Sequence, residues 1–280
     1  MMHERIVRLE DVRVTIGEKE VLAIDELDIR QGERVAIIGS SGAGKTTLLR
    51  LIKGFVTPTR GRVEVLGQTL PIENGKRERE FHRMIGMIHQ HFDLIGRESV
   101  WRNVIHGRLG SNALWRTVLG VYPERELRIC LDAAREVNLD DKLHRATRSL
   151  SGGELQRVAI ARALAQQPVM MLADEPVSNL DPALTGSILD LLMAICDAHG
   201  LTLLMNLHLP DLARQYAHRV IALQEGRILW DLASEDVSPE RIREVYRRGA
   251  QGEDHVELES TGAAAIGWAL GRLDRPVHDT

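Results

Sequence analysis

A chain of 280 residues, 44% hydrophobic and 27% charged, has a globular balance and enough apolar material for one core, or one core with a smaller insert. Its 36 lysines and arginines stand against 40 aspartates and glutamates, a formal charge of −4, whereas a general binder of nucleic acid or anionic membrane is usually basic. No stretch approaches the ~18–20 apolar residues that cross a bilayer, and Met1–Leu9 lacks the apolar segment of a signal peptide. The protein is therefore expected to be soluble and to reach any membrane through other subunits. Cys130 and Cys196 lie far apart with no CxxC or Cys/His cluster, and read as buried thiols of a reducing compartment.

Residues 4–30 alternate apolar and polar with an interruption at Ile16-Gly17-Glu18, which predicts an antiparallel pair of strands. Val35–Ile38 is a short apolar run of the buried parallel type, and Leu48, Leu51, Ile52 and Phe55 then follow helical spacing, with Gly54 near the helix end. Strands are predicted at Met84–Ile88, Val169–Ala173 and Thr202–Leu207, with a mostly helical stretch from Phe92 to Gln167 that Pro123 breaks. Val220–Leu223 and Arg227–Trp230 flank Gln224-Glu225-Gly226 as a hairpin. Residues 249–280 are Gly/Ala-rich and polar, with a short apolar piece at Ala263–Leu270, and read as a weakly ordered tail. Strands that alternate with helices favour an α/β core with a mostly parallel sheet and a helical insert.

Gly39-Ser40-Ser41-Gly42-Ala43-Gly44-Lys45-Thr46 fits G-x-x-x-x-G-K-[ST], follows the buried strand and opens a helix, as this motif requires. Glycines let successive backbone N–H groups curl toward phosphate oxygens, and the helix N-terminus adds partial positive charge. Lys45 is suited to neutralise the β and γ phosphates, and the Thr46 hydroxyl to ligate Mg²⁺; Thr47 is counted with the same nucleotide-binding element. A chance match in a chain of this length is on the order of one in a hundred, so nucleotide binding is the reading.

Asp174-Glu175 ends a strand, and burial explains the apolar run but not two carboxylates after it. Alone such a pair is usually a solvated turn; downstream of a phosphate loop, Asp174 suits an outer-shell Mg²⁺ role and Glu175 the orientation of an attacking water. Gln90 follows another strand and His208 a third. A lone histidine is most often structural, yet Gly39, Gln90, Asp174 and His208 all fall at carboxyl ends of predicted strands, the edge where open α/β sheets bind ligands. Gln90 is assigned to Mg²⁺ and water sensing and His208 to the γ phosphate.

Leu150-Ser151-Gly152-Gly153-Glu154-Leu155-Gln156 starts a helix, with Ser151 and Glu154 at capping-box spacing. Capping does not explain two glycines in a first turn, where they weaken the helix and permit close approach to an anion-binding N-terminus. With the phosphate loop, Gln90, Asp174-Glu175, Ser178-Asn179-Leu180-Asp181 and His208, this segment resembles the signature of ATP-binding-cassette (ABC) nucleotide-binding domains over residues from about 5 to 248. The resemblance implies a P-loop NTPase (RecA-like) core with a mostly parallel sheet, an N-terminal antiparallel β subdomain and an inserted α-helical subdomain at about 92–165, in a domain spanning 1–248. It also implies ATP and Mg²⁺ as cofactors, and a homodimer in which Ser151, Gly152 and Gly153 of one copy cover the γ phosphate held by the other, with Asp181 coupling the two sites. Two departures stand out: Ile16 occupies the position where many members stack an aromatic on adenine, and Glu154 stands where glutamine is commoner.

A narrower resemblance, to phosphonate importer ATPases, rests on Asn103-Val104-Ile105-His106-Gly107-Arg108-Leu109-Gly110-Ser111, Trp115-Arg116-Thr117, Leu172-Ala173-Asp174-Glu175-Pro176, Asn206-Leu207-His208 and Asp211-Leu212-Ala213. It implies a peripheral subunit on the cytoplasmic face of the cell membrane, bound to integral permease subunits and indirectly served by an extracytoplasmic substrate-binding protein, with no nucleic-acid partner. The segment Gln90–Val104 is expected to form the groove for a permease helix. A non-transport ABC ATPase serving a multi-enzyme complex, and an exporter motor, remain as rivals. Because the tail lacks core-like periodicity, deletion of Gln251–Thr280 is expected to leave ATP hydrolysis intact; loss of a cooperative melting transition in the truncated chain refutes this.

Overall fold

Strands β1 (Arg5–Ile16) and β2 (Lys19–Arg30) form the expected antiparallel pair, running from Arg5 opposite Arg30 to Ile16 opposite Lys19. The structure is a computed structural model that describes residues 4–111, 120–178 and 180–247. The chain divides into two units, Met1–Tyr246 and Arg247–Thr280, of which the first carries both sheets and their core. Trp115-Arg116-Thr117, Asn179 and the tail 249–280 lie outside the described residues.

The sheet begun by β1 and β2 has two further strands, β4 (Arg60–Val65) and β5 (Gln68–Leu70), in the order β2-β1-β4-β5. These strands, and the helix α2 (Gly75–Met84) after them, escaped the sequence reading. Phe81 is the one buried residue of α2, so it carries no apolar period; its start is marked instead by Asn74, whose side chain accepts from the Lys76 and Arg77 N–H groups.

The second sheet has the order β10-β9-β3-β8-β7-β6, built from β3 (Arg34–Ile38), β6 (Ile85–Ile88), β7 (Met170–Asp174), β8 (Thr202–Asn206), β9 (Arg219–Gln224) and β10 (Arg227–Ala233). All neighbours are parallel except β9 and β10, which form the expected hairpin. Burial on both faces explains the continuous apolar runs. Ala36 and Ile38 enter one core cluster and Val35 and Ile37 the other; Met171 and Ala173, Met170 and Leu172 divide in the same way.

The phosphate loop leads into α1 (Lys45–Ile52), which is shorter than its apolar spacing suggests. Gly54 at φ 79° ends it, the Gly54 N–H donating to Leu51 O and the Phe55 N–H to Arg50 O, a Schellman closure. Phe55 therefore leaves the helix and stands 56% exposed, a correction to the sequence reading.

The helical insert starts with α3 (Val100–Ile105), capped by Ser99, followed by a 3₁₀ turn over His106–Ser111 and α4 (Glu124–Glu136), whose entry Pro123 marks. The chain returns through α5 (Gly152–Leu164). Then α6 (Pro182–His199), α7 (Pro210–Tyr216) and α8 (Pro239–Arg247) complete the described elements. Asn103 and Thr147, both buried, tie the loop before α3: Asn103 accepts from the Ile95 N–H at 2.8 Å, and the Thr147 hydroxyl donates to Ile95 O at 3.0 Å. Buried Arg108 joins Glu126 of α4 at 2.5 Å to Ala165 O beyond α5 at 2.8 Å.

The residues His106-Gly107-Arg108 therefore act as packing elements of the insert. A side chain at Gly107 would begin 2.2 Å from Arg162 O of α5, a backbone atom that cannot swing aside. Gly107→Ala is expected to lower stability by about 1–3 kcal/mol, roughly 2–12 °C in melting temperature for a unit of this size. An unchanged melt shows that this turn is not seated on α5.

Candidate functional site

The parallel order β3-β8-β7-β6 sets the carboxyl ends of four adjacent strands along one edge. Gly39 follows β3, Asp174 ends β7, His208 lies two residues beyond β8, and Gln90 lies two residues beyond β6. A side chain at Gly39 would begin 2.3 Å from Leu223 O, so the loop lies directly on β9. The Ala43 N–H donates to Ser40 O at 3.1 Å, and Ala43 O accepts from Gly226 of the β9–β10 turn at 3.0 Å. Lys45, buried, turns its ammonium back on the loop and donates to Gly39 O at 2.8 Å and Ser40 O at 3.1 Å. Burial lowers its pKa, and the carboxylates of Glu175 and Asp174 act in the opposite sense.

Asp174 is the meeting point of the edge. Its Oδ1 accepts from the Thr46 hydroxyl at 3.1 Å and from the buried Asn206 amide at 2.6 Å. Thr46 comes from α1 and Asn206 ends β8, so one carboxylate oxygen joins three elements. Sequence reasoning gave Asn206 no role, although an amide closing the apolar run Leu203–Met205 was a signal. Glu175 stands at φ 52°, a strained conformation for a non-glycine residue. Its Oε1 is in contact with His208 Nε2, and its buried Oε2 has no partner among the described residues. His208 itself is exposed and lies against Glu175.

Oxygen donors suit a hard cation such as Mg²⁺, and the Thr46 hydroxyl and Asp174 carboxylate stand together at the loop. Asn206 Oδ1, buried and without a hydrogen-bond partner among the described residues, adds an acceptor beside them.

The glycine-led helix has its full capping box, with the Ser151 N–H donating to Glu154 Oε2 at 2.8 Å and the Glu154 N–H to Ser151 Oγ at 3.4 Å. Glu154 also pairs with Lys142 at 3.2 Å, which suits glutamate at this position. Side chains at Gly152 and Gly153 would begin 3.3 Å from Leu180 and Leu184 of the same chain. Part of the reason for these glycines is thus internal packing, which the sequence reading attributed to another molecule. Asp181 caps α6 by accepting from the Leu184 N–H at 2.9 Å. Ile16 is 57% exposed at the β1–β2 turn.

Beside the edge lies a groove of about 770 Å³ whose walls include Lys53, Phe55, His82, Asp93, His106 and Arg162. Of the segment Gln90–Val104, to which the sequence reading gave the groove, only Asp93 lines it. Asn103 and Thr147 bind the backbone at Ile95, whose side chain is exposed. Lys53 donates to His82 O and Ile85 O, and burial lowers its pKa to about 8.

Residues 10–178 match the ABC transporter family. The chain is also 39% identical over 244 residues, 87% of its length and 93% of the relative's, to the phosphonates import ATP-binding protein PhnC of Staphylococcus epidermidis. The chain belongs to the ABC transporter family. PhnC of Bacillus thuringiensis subsp. konkukian is 43% identical over 232 residues, 83% of this chain and 90% of that one. Among solved structures, the cassette MJ0796 bound to ADP and Pi, a dimer in a post-hydrolysis state, is similar with a TM-score of 0.70 and 31% identity, over 82% of this chain and 99% of that one. The structure of cbiO1 from Clostridium perfringens, part of the ABC transporter complex cbiONQ, gives a TM-score of 0.75 at 26% identity over 89% and 97%.

As an ABC transporter cassette, the chain binds ATP. Among the described residues no helix is long and apolar enough to cross a membrane. Asn206→Leu, which keeps the volume and removes the donor to Asp174, is expected to cost about 1–3 kcal/mol, read as a lower denaturant midpoint. An unaltered midpoint shows that the Asp174 joint is dispensable.

Proposed function

We propose that this chain hydrolyses ATP as half of a homodimer and uses the cycle to drive import of a phosphonate, or a related phosphorus oxyanion, through integral permease subunits. The observation that carries the catalytic part is the pairing at Glu175, with one oxygen against His208 and the other buried and, among the described residues, without a hydrogen-bond partner.

Loop N–H groups donate to the phosphate oxygens of ATP, and Lys45 exchanges the carbonyls of Gly39 and Ser40 for the β and γ phosphates. Thr46, Gln90 and Asp174 would hold Mg²⁺, which would supply positive charge to neutralise those phosphates. Glu175 Oε2 accepts a hydrogen bond from the attacking water and aims its lone pair at the γ phosphorus, while His208 fixes the carboxylate and faces the γ phosphate. The water oxygen bonds to phosphorus and gives one proton to Glu175 Oε2, the bridging P–O bond breaks with its electron pair on ADP, and ADP, inorganic phosphate and that proton leave. Most of the barrier is lowered by positioning and fixed charge rather than by covalent chemistry.

Ser151, Gly152 and Gly153 of a second copy close over the γ phosphate with the N-terminus of α5, and Asp181 links the paired sites. The dimeric MJ0796 cassette supports this arrangement. Exposed Ile16 offers adenine an aliphatic surface. The importer reading is supported by the relatives named for phosphonate import. It places the chain on the cytoplasmic face of the membrane, with its cargo delivered by an extracytoplasmic binding protein.

Glu175→Gln, which keeps the hydrogen-bonding shape and removes the proton acceptor, is expected to lower turnover by at least about a hundredfold and to elute as an ATP-bound dimer in size-exclusion chromatography. Absence of ATP binding by the wild-type chain in calorimetry overturns the ATPase reading. Cells that lack the chain and still grow on methylphosphonate as sole phosphorus source overturn the importer reading.

A further inference from the structure

The turn that carries Gln90 has an unusual backbone. The Phe92 N–H donates to His89 O at 3.1 Å, closing a turn around Gln90, and the Asp93 N–H donates to His91 O at 2.7 Å, closing a three-residue turn centred on Phe92. Phe92 has φ 62° and Asp93 φ 47°, the only consecutive non-glycine residues at positive φ among the described residues. Three-residue turns with a positive central φ are rare and strained, and bulky side chains disfavour this region. Such a conformation persists only where its surroundings enforce it.

One side chain does so. Arg162, in the last turns of α5, donates from Nη2 to Phe92 O at 2.7 Å and from Nη1 to Asp93 O at 2.5 Å. The two arms of a rigid guanidinium thus grip two successive carbonyls, a geometry that lysine cannot reproduce. The backbone of Arg162 is itself held by the Gly107 turn, and Arg162 and Asp93 both line the groove. A single residue therefore touches the glycine-led helix, the insert, the groove wall and the turn that presents Gln90.

We infer that Arg162 is a positioning residue that clamps the strained Phe92–Asp93 turn and so fixes Gln90 relative to α5. Movement of α5, or pressure from whatever fills the groove, then moves Gln90 along the sheet edge. The functional half of this inference rests on the assignment of Gln90 to the nucleotide site; the clamp itself is read from the backbone.

The test uses the full chain with Arg162→Lys, Asp93→Gly, the double variant and Gln90→Ala. Arg162→Lys is expected to lower kcat for ATP about tenfold, short of the hundredfold that a misplacement of ~1 Å can cost, while KM changes less than twofold. Glycine adopts positive φ without a clamp, so the double variant is expected to recover kcat to within about threefold of wild type. Asp93→Gly alone should keep kcat within about twofold of wild type, because it forfeits a 3.5 Å pair with His89 and the attraction of its carboxylate for Arg162 while both clamped carbonyls remain.

A role of Arg162 in general packing predicts no such rescue. Wild-type kcat in Arg162→Lys overturns the clamp, as does an unrescued loss, or failure of both the single and double variants to fold. Recovery of folding in the double variant alone supports it. Undiminished kcat in Gln90→Ala marks failure of the Gln90 assignment, and the rescue still decides the clamp.

Discussion

The site depends on a carboxylate placed where water scarcely reaches it. Asp174 is 8% exposed, and a buried charge of this kind is tolerable only if its lone pairs are satisfied. Thr46 from α1 and Asn206 from β8 satisfy one oxygen. The Thr46 bond ties the phosphate loop to the acidic pair, and the Asn206 bond ties that pair to β8. Glu175 in the next residue and the His208 loop, two residues after Asn206, extend from that joint.

The same economy recurs around it. Lys45 satisfies its ammonium with carbonyls of its own loop, and Glu175 tolerates a disfavoured backbone angle that turns its carboxylate toward His208. These polar groups are held by short-range partners rather than by exposed ion pairs, which contribute little. The insert is fastened by different means: the buried Arg108–Glu126 pair, the Asn103 amide and a glycine contact with no room for a methyl group.

Motifs that need particular residue types were legible in the sequence: the phosphate loop, the acidic pair, the capping box and the continuous apolar strands. They announce themselves because apolar periodicity and glycine placement have few alternative causes. What stayed hidden depends on contacts distant in sequence. β4 and β5 are stabilised by β1, which lies some fifty residues earlier. Helix α2 is polar almost throughout and is defined by a cap and Phe81. Gly54 marks the end of α1 in sequence and structure alike, but Phe55 continues the apolar spacing, and only the turn at Gly54 takes it out of the helix. In the site, the roles of Asn206 and Arg162 stayed hidden because an amide or a guanidinium declares its purpose only through its acceptor. The glycines at 152 and 153 also face leucines of their own chain, a neighbourhood that spacing along the sequence does not show.

Strand order also has a consequence for the nascent chain. β3, made within the first 38 residues, lies between β8 and β9, which begin at residues 202 and 219. At ~5–20 residues per second, translation leaves both of its edges without their final neighbours for roughly ten to thirty seconds. The four-stranded antiparallel sheet, complete by residue 70, needs no such wait, because its pairing partners all come from the first quarter of the chain. It shares a core cluster with Val35 and Ile37, so it can cover one face of β3 during synthesis while the open edges await the C-terminal strands.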